Sequence, residues 1–160
     1  SYRRQRQMCI RDRYLSIFVK IYFVMLIETN FKEEDFKFKY NISTRFRDLD
    51  PFNHVNNSVF LTYFENARRQ FYERWNLNLN NRSLIVVSIK IDYLNELNHP
   101  SDCQVFQKIV RIGNTSFDIL SVLCSNNIVI CKSITTIVCY NFDKKNKAKV
   151  YEEIIDDFNK

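Results

Sequence analysis

Asp48-Leu49-Asp50-Pro51-Phe52-Asn53-His54-Val55-Asn56-Asn57 sets two acids and an imidazole in a short loop that runs straight into an amphipathic helix. A proline disfavours the helical region for the residue before it. Pro51 therefore biases Asp50 toward an extended conformation, with its carboxylate at the end of the preceding strand. The Asn pair can then cap a helix that begins near Ser58. Within that helix Phe60, Tyr63, Phe64, Ala67, Phe71 and Trp75 recur at intervals of three and four, and Glu65, Arg68, Arg69 and Glu73 fall on other faces. One broad aromatic stripe is expected to be buried. An acid beside a helix N-terminus suits carbonyl chemistry.

The chain around the helix reads as strands. Phe36, Phe38, Tyr40 and Ile42 alternate with Lys37, Lys39, Asn41 and Ser43 before the loop. Ile85, Val87, Ile89, Ile91 and Tyr93 alternate with Val86, Ser88, Lys90 and Asp92 after the helix. Three more strands are expected over 103–112, 116–125 and 128–142, turned by Gly113-Asn114 and Ser125-Asn126-Asn127. Hairpins connect such neighbours naturally. The fold class is α+β: one long helix across a curved antiparallel sheet in a single domain.

The loop and helix start, together with Tyr63-Phe64-Glu65-Asn66-Ala67-Arg68, resemble the signature of hotdog-fold acyl-CoA thioesterases related to 4-hydroxybenzoyl-CoA thioesterase. The resemblance continues through Ile91-Asp92-Tyr93-Leu94, Arg111-Ile112-Gly113-Asn114-Thr115-Ser116-Phe117 and Val138-Cys139-Tyr140-Asn141-Phe142, and so covers about residues 36 to 145. It implies a hotdog fold, a curved antiparallel β-sheet wrapped around one long central helix. It also implies hydrolysis of an acyl thioester, on CoA or on acyl carrier protein, in a cleft between two protomers and with no metal or redox cofactor. By the same resemblance Asp50 acts as nucleophile or general base, and amides at the helix start polarise the thioester carbonyl. Unpaired amides at a helix N-terminus carry partial positive charge and favour the oxyanion formed on attack. Asn57, Ser58 and Val59 are the candidate donors.

His54 aligns with a histidine that many relatives carry, including the plant acyl carrier protein thioesterases, where it joins the catalytic group. Those enzymes have an asparagine midway between acid and histidine, where this chain has Phe52. Other relatives place histidine where this chain has Asn57. Asp50 is accordingly the principal catalytic candidate, with His54 as a second group or a positioning residue beside Asn57. Asn53 occupies a position that is glycine in many relatives, and Asn is the best non-glycine substitute for a positive φ. Asp48 is read as structural, His99 beside Pro100 as a turn residue, and Ser116 as the hydroxyl that opens a strand. Glu65 with Arg68 or Arg69 has the spacing of a helical ion pair. Lys90, Lys108 and Arg111 are read as solvated strand charges in preference to ligands for CoA phosphates.

The 160 residues, 46% of them hydrophobic, suffice for one core and not for two ordinary domains. The net charge of +6 does not signal nucleic acid, because Arg3, Arg4, Arg6, Arg11, Arg13 and Lys20 precede residue 25 against Asp12 alone. The rest of the chain holds 18 basic and 17 acidic residues. Ser1 to Arg13 resembles a translated sequencing-adapter string, so residues 1–24 are expected to be a non-native or disordered extension and 25–160 the hotdog domain. A signal peptide or anchor fits poorly. Lys20 interrupts the apolar run, no small-residue cleavage site follows, and the run falls short of the roughly 20 residues that span a bilayer.

Cys103, Cys124, Cys131 and Cys139 lie in expected strands without a C-x-x-C pair, which reads as small buried hydrophobes in a reducing cytoplasm rather than a zinc or redox site. Phe106, Val110, Leu120 and Val122 look apolar on the strand face opposite the core, and a homodimer or homotetramer is expected to cover them. Two other classes share the fold. A hotdog enoyl-CoA hydratase has a Gly-Asp opening and an Asn-Pro before its histidine, both missing here. A non-catalytic acyl-CoA binding regulator carries a helix-turn-helix, for which residues 1–35 are too short.

Overall fold

Six strands and two helices make up the architecture, in a computed structural model that describes residues 31–77 and 81–160. The expected N-terminal extension, residues 1–24, lies outside the described residues, as do residues 25–30 of the expected hotdog domain. Phe36–Lys160 form one compact unit. Ahead of it, Glu33–Asp35 form a single 3-10 turn.

The elements of that unit run β1 (Phe38–Ser43), a 3-10 turn (Phe46–Asp48), α1 (Asn57–Glu73), β2 (Ser83–Tyr93), β3 (Asp102–Ile112), β4 (Ser116–Ser125), β5 (Ile128–Asn141), β6 (Asn146–Lys147) and α2 (Glu152–Asn159). The sheet is antiparallel in the order β1-β3-β4-β5-β2, with β6 added to β5. The strand that follows the helix thus crosses to the far edge instead of joining its sequence neighbour β3. With α1 packed on its inner face, this sheet is the hotdog arrangement expected from the sequence.

Two corrections follow from the strands. Asp50 is not at the end of a strand, because β1 stops at Ser43 and the 3-10 turn intervenes. Nor does β2 alternate without a break. A bulge between Val86 and Ser88 changes its phase, so Leu84 and Val86 sit opposite the buried Cys139 and Ile137, and Ile89 and Ile91 sit opposite the buried Thr135 and Ser133.

The turns follow the scarcity of glycine. Asn126 and Asn127 take φ of 49° and 63° between β4 and β5, the paired left-handed conformation that matches strand twist. Gly113, the chain's one glycine, serves by its bareness: a Cβ there would lie 2.9 Å from the Arg111 guanidinium and 3.1 Å from the Ser116 carbonyl oxygen.

The aromatic stripe of α1 is buried as expected. Phe60, Phe64 and Ala67 pack with Val105, Leu123 and Cys131, while Phe71 and Trp75 pack with Ile109, Phe117 and Ile137. Each large side chain so buried contributes about 1.5–3 kcal/mol. A polar row of Gln107, Ser121 and Ser133 crosses three central strands, with Gln107 Nε2 donating to Ser121 Oγ at 2.8 Å. Arg68 departs from expectation. It is buried, and among the described residues no ion pair joins it or Arg69 to Glu65.

The outer face requires a further correction. Phe106, Leu120 and Val122 are already buried in the single chain, so they do not supply the surface on which self-association was expected. Among the exposed apolar groups, Val86, Val87 and Ile89 lie together on the edge strand β2, at 36–56% exposure. α2, which the strand and helix patterns did not announce, is held by the fully buried Ile154, by Arg82 donating twice to Glu153 at 2.9 and 2.6 Å, and by Trp75 Nε1 donating to Asp157 at 3.0 Å.

Candidate active site

The 48–57 loop is anchored at Asp48. Its carboxylate accepts the Tyr63 hydroxyl at 2.6 Å and the Arg45 main-chain N–H at 2.8 Å, while its main-chain carbonyl accepts Asn56 N–H at 2.8 Å. Burial alone would push this carboxyl up, but Tyr63 and Arg45 outweigh it and hold Asp48 below the usual carboxylate range. Tyr63 is itself fully buried on α1, so this acid pins the loop to the helix core, the structural role read for it. The sequence offered one signal for the pairing: a tyrosine on the buried stripe needs a partner for its hydroxyl.

Asp50 sits at the head of a tight turn. Asn53 N–H donates to the Asp50 carbonyl at 3.1 Å, and Asn53 adopts φ 65°, the positive value expected of its glycine-like position. The Asp50 carboxylate accepts Phe52 N–H at 2.8 Å and His54 N–H at 3.2 Å. Asp50 N–H in turn donates to the His54 carbonyl at 2.8 Å. Asp50 and His54 are therefore joined through the main chain of His54, whose imidazole is directed elsewhere. Its Nε2 lies 3.2 Å from Glu96, a partner that sequence reasoning missed. Among the described residues no hydrogen bond links the imidazole to the Asp50 carboxylate. Phe52, beside Asp50, is 77% exposed.

The helix start separates the three candidate donors. Asn56 is the N-cap and accepts Ser58 N–H at 2.9 Å, while its carbonyl accepts Val59 N–H at 2.9 Å. Ser58 and Val59 are thus engaged, and among the described residues the Asn57 N–H has no hydrogen bond. The Asn57 carbonyl accepts the Tyr93 hydroxyl at 2.9 Å, which ties the first turn of α1 to the end of β2. Asp50 thus lies one short turn before a helix start that keeps one open donor.

The remaining polar candidates are occupied. Arg111 donates to Asp118 at 2.9 Å, Lys90 pairs with Asp92 at 3.4 Å, and Lys108 lies over the Phe36 ring at 4.6 Å. Ser116 is the first residue of β4. Burial pushes the thiols of Cys103, Cys131 and Cys139 up, which disfavours a thiolate nucleophile. Among the described residues no three metal-binding side chains cluster. No described helix is long and apolar enough to cross a membrane.

Comparison with known proteins places this geometry in context. Residues 44–158 match the thioesterase-like superfamily. An uncharacterised protein of Bacillus subtilis, YsmA, is 29% identical over 83 residues, and the match spans 51% of this chain and little more than half, 56%, of that relative. Among solved structures, a predicted thioesterase from Bacillus stearothermophilus is 25% identical with a TM-score of 0.69, covering 76% of this chain and 93% of that one. A Thermus thermophilus thioesterase solved with coenzyme A and zinc is 26% identical with a TM-score of 0.69, covering 78% and 99%. A 1,4-dihydroxy-2-naphthoyl-CoA thioesterase from Synechocystis, at 16% identity and a TM-score of 0.68 over 76% and 95%, shares the fold.

Proposed function

Since the chain belongs to the thioesterase-like superfamily, we propose that it hydrolyses acyl-CoA thioesters, with Asp50 as the reacting carboxylate and the Asn57 amide as the oxyanion donor. The observation that carries this reading is the Asp50 carboxylate fixed by two main-chain N–H groups, one short turn before a helix start whose Asn57 amide stays open. A thioester carbonyl seated on that amide gains a hydrogen bond as its oxygen becomes an oxyanion. In one route Asp50 takes a proton from water while the water oxygen bonds to the carbonyl carbon. The tetrahedral oxyanion then collapses, the C–S bond breaks, and the thiolate leaves and is protonated. In the other, Asp50 attacks the carbon, the thiolate leaves an anhydride, and water hydrolyses it to the free acid. A fixed carboxylate serves both. His54 acts as a positioning residue through its main chain. A hydratase would need carboxylate and imidazole on one thioester, and the His54 imidazole faces Glu96.

The coenzyme A seen with the Thermus relative supports CoA as carrier, with acyl carrier protein as the other candidate. The reaction needs no metal or redox cofactor. The working unit is a homodimer, or a homotetramer built from it, assembled through β2, and the free thiols suit a reducing cytoplasm.

The test is free-thiol release from short, long and aromatic acyl-CoAs by protein begun at Met25, beside Asp50→Asn. The variant is expected to lose about 10²- to 10⁴-fold in kcat. Unimpaired release by Asp50→Asn would overturn the assignment. A single turnover in ¹⁸O-water separates the routes, since only the anhydride route can leave label in Asp50.

A further inference from the structure

β2 ends at Tyr93, beside the start of α1, and the side chain of that last residue crosses from strand to helix. The sheet holds its main chain. Tyr93 is in register with the fully buried Cys131 of β5, and the next residue, Leu94, donates its N–H to the Ile130 carbonyl at 2.9 Å. Its ring meets the buried Phe60 ring edge-on, with centroids 5.6 Å apart. The hydroxyl then lies over the first turn of α1, where it donates to the Asn57 carbonyl at 2.9 Å. Among the described residues no other hydrogen bond joins β2 to α1. Tyr93 is 42% exposed, so water could satisfy its hydroxyl, and burial alone does not account for the contact.

The position of Asn57 gives that contact its consequence. The first amides of a helix have no partner within it, and helix ends fray. The Asn57 N–H is such a donor, and because peptides are planar its direction depends on the peptide planes on either side of its Cα. The plane after it is held at both ends: Tyr93 binds its carbonyl, and its Ser58 N–H donates to Asn56 Oδ1 at 2.9 Å. The plane before it is held through the Asn56 carbonyl, which accepts Val59 N–H at 2.9 Å. Without Tyr93, both remaining contacts would come from Asn56 alone, a residue open to solvent.

The second lone pair of a helical carbonyl is free to take such a bond without breaking the ladder. Burial, with Cys131 nearby, pushes the Tyr93 hydroxyl up, so it keeps the proton it donates at neutral pH. Placement matters at an oxyanion donor, which acts over about 2.7–3.1 Å, and a displacement of about 1 Å near reacting atoms can cost about 10²-fold in rate.

We infer that Tyr93 is a positioning residue for the proposed hydrolysis: its hydroxyl fixes the first turn of α1 and so aims the Asn57 amide at the thioester oxygen. This inference rests on the thioesterase reading and adds to it a strand residue that acts only through the helix start.

Tyr93→Phe tests it, because the variant keeps the ring on Phe60 and removes only the hydroxyl at a half-exposed site. With saturating acyl-CoA, kcat is expected to fall about 3- to 10-fold, the scale of one net hydrogen bond, while KM changes by less than about twofold, since the Asn57 amide meets an oxyanion only in the transition state. A residue that merely stabilised the fold would not divide the two constants in this way. The second readout needs no substrate. The backbone ¹⁵N order parameter of Asn57 should drop from the rigid value of about 0.85 toward about 0.6 in Tyr93→Phe, with that of Ala67 in mid-helix unchanged. An unchanged kcat, a loss confined to KM, or an Asn57 order parameter equal to that of wild type overturns the inference and leaves Asp50 chemistry standing. Should wild-type protein release no thiol from any acyl-CoA, the activity reading fails by itself. The order parameter then decides alone whether Tyr93 fixes this turn, and an unchanged value rejects it.

Discussion

Two acids two positions apart have different surroundings, a structural one for Asp48 and an open one for Asp50, the proposed catalytic carboxylate. Asp48 accepts a buried tyrosine and an arginine, while Asp50 accepts two main-chain N–H groups beside an exposed phenylalanine. Tyr63→Phe removes a hydrogen bond to a charged group and is expected to cost about 1.5–3 kcal/mol in denaturant unfolding, with Asp50 chemistry retained. Asp48 also sets an acid limit. Its folded carboxyl titrates below its unfolded value, so its contribution is fully present above the ordinary carboxylate range and is lost as pH falls through the folded value. Stability of wild type should therefore drop below about pH 4, and Asp48→Asn should start lower and show a shallower acid slope. His54→Ala is expected to lower kcat by less than about tenfold, far less than Asp50→Asn, because its link to Asp50 runs through the main chain. Equal losses in the two variants would return the imidazole to the chemistry. The sequence singled out Asp50 and the structural Asp48 through their motif. The direction of the His54 ring was not legible, because Glu96 comes from a separate loop whose approach depends on tertiary packing.

At the level of elements, periodicity located the long helix and all five long strands, with ends displaced by up to two residues. Asn56 as cap followed from local chemistry, and Asn56→Ala is expected to cost about 1 kcal/mol while loosening the candidate oxyanion donor at Asn57. What local pattern did not convey was pairing order. Nothing in the alternation of β2 says that its neighbour is β5, and its bulge reverses the phase that strict alternation assigns to Val87. α2 escaped for a related reason. It has only eight residues, and its helicity depends on Ile154 entering the core and on Arg74, Trp75 and Arg82 reaching its acids. Ile154→Ala should cost about 2–5 kcal/mol, read as a lower denaturant midpoint.

For the whole molecule, the proposed self-association falls at the exposed apolar edge of β2 and not on the outer face, because Phe106, Leu120 and Val122 are covered within the chain. Val87→Lys should shift sedimentation from dimer to monomer with an unchanged circular dichroism spectrum, and thiol release should fall with it. A monomer of full activity would separate catalysis from assembly. The four strand cysteines bear on the same molecule in a practical way. All are free and buried, and three have thiols pushed up by burial. A chromogenic disulfide reagent added to folded protein begun at Met25 should therefore stay colourless until coenzyme A is liberated. Once the chain unfolds, the same reagent should develop colour from four sulfurs per chain. The protein thus carries an internal indicator of its own integrity, distinguishable from turnover because it needs no substrate.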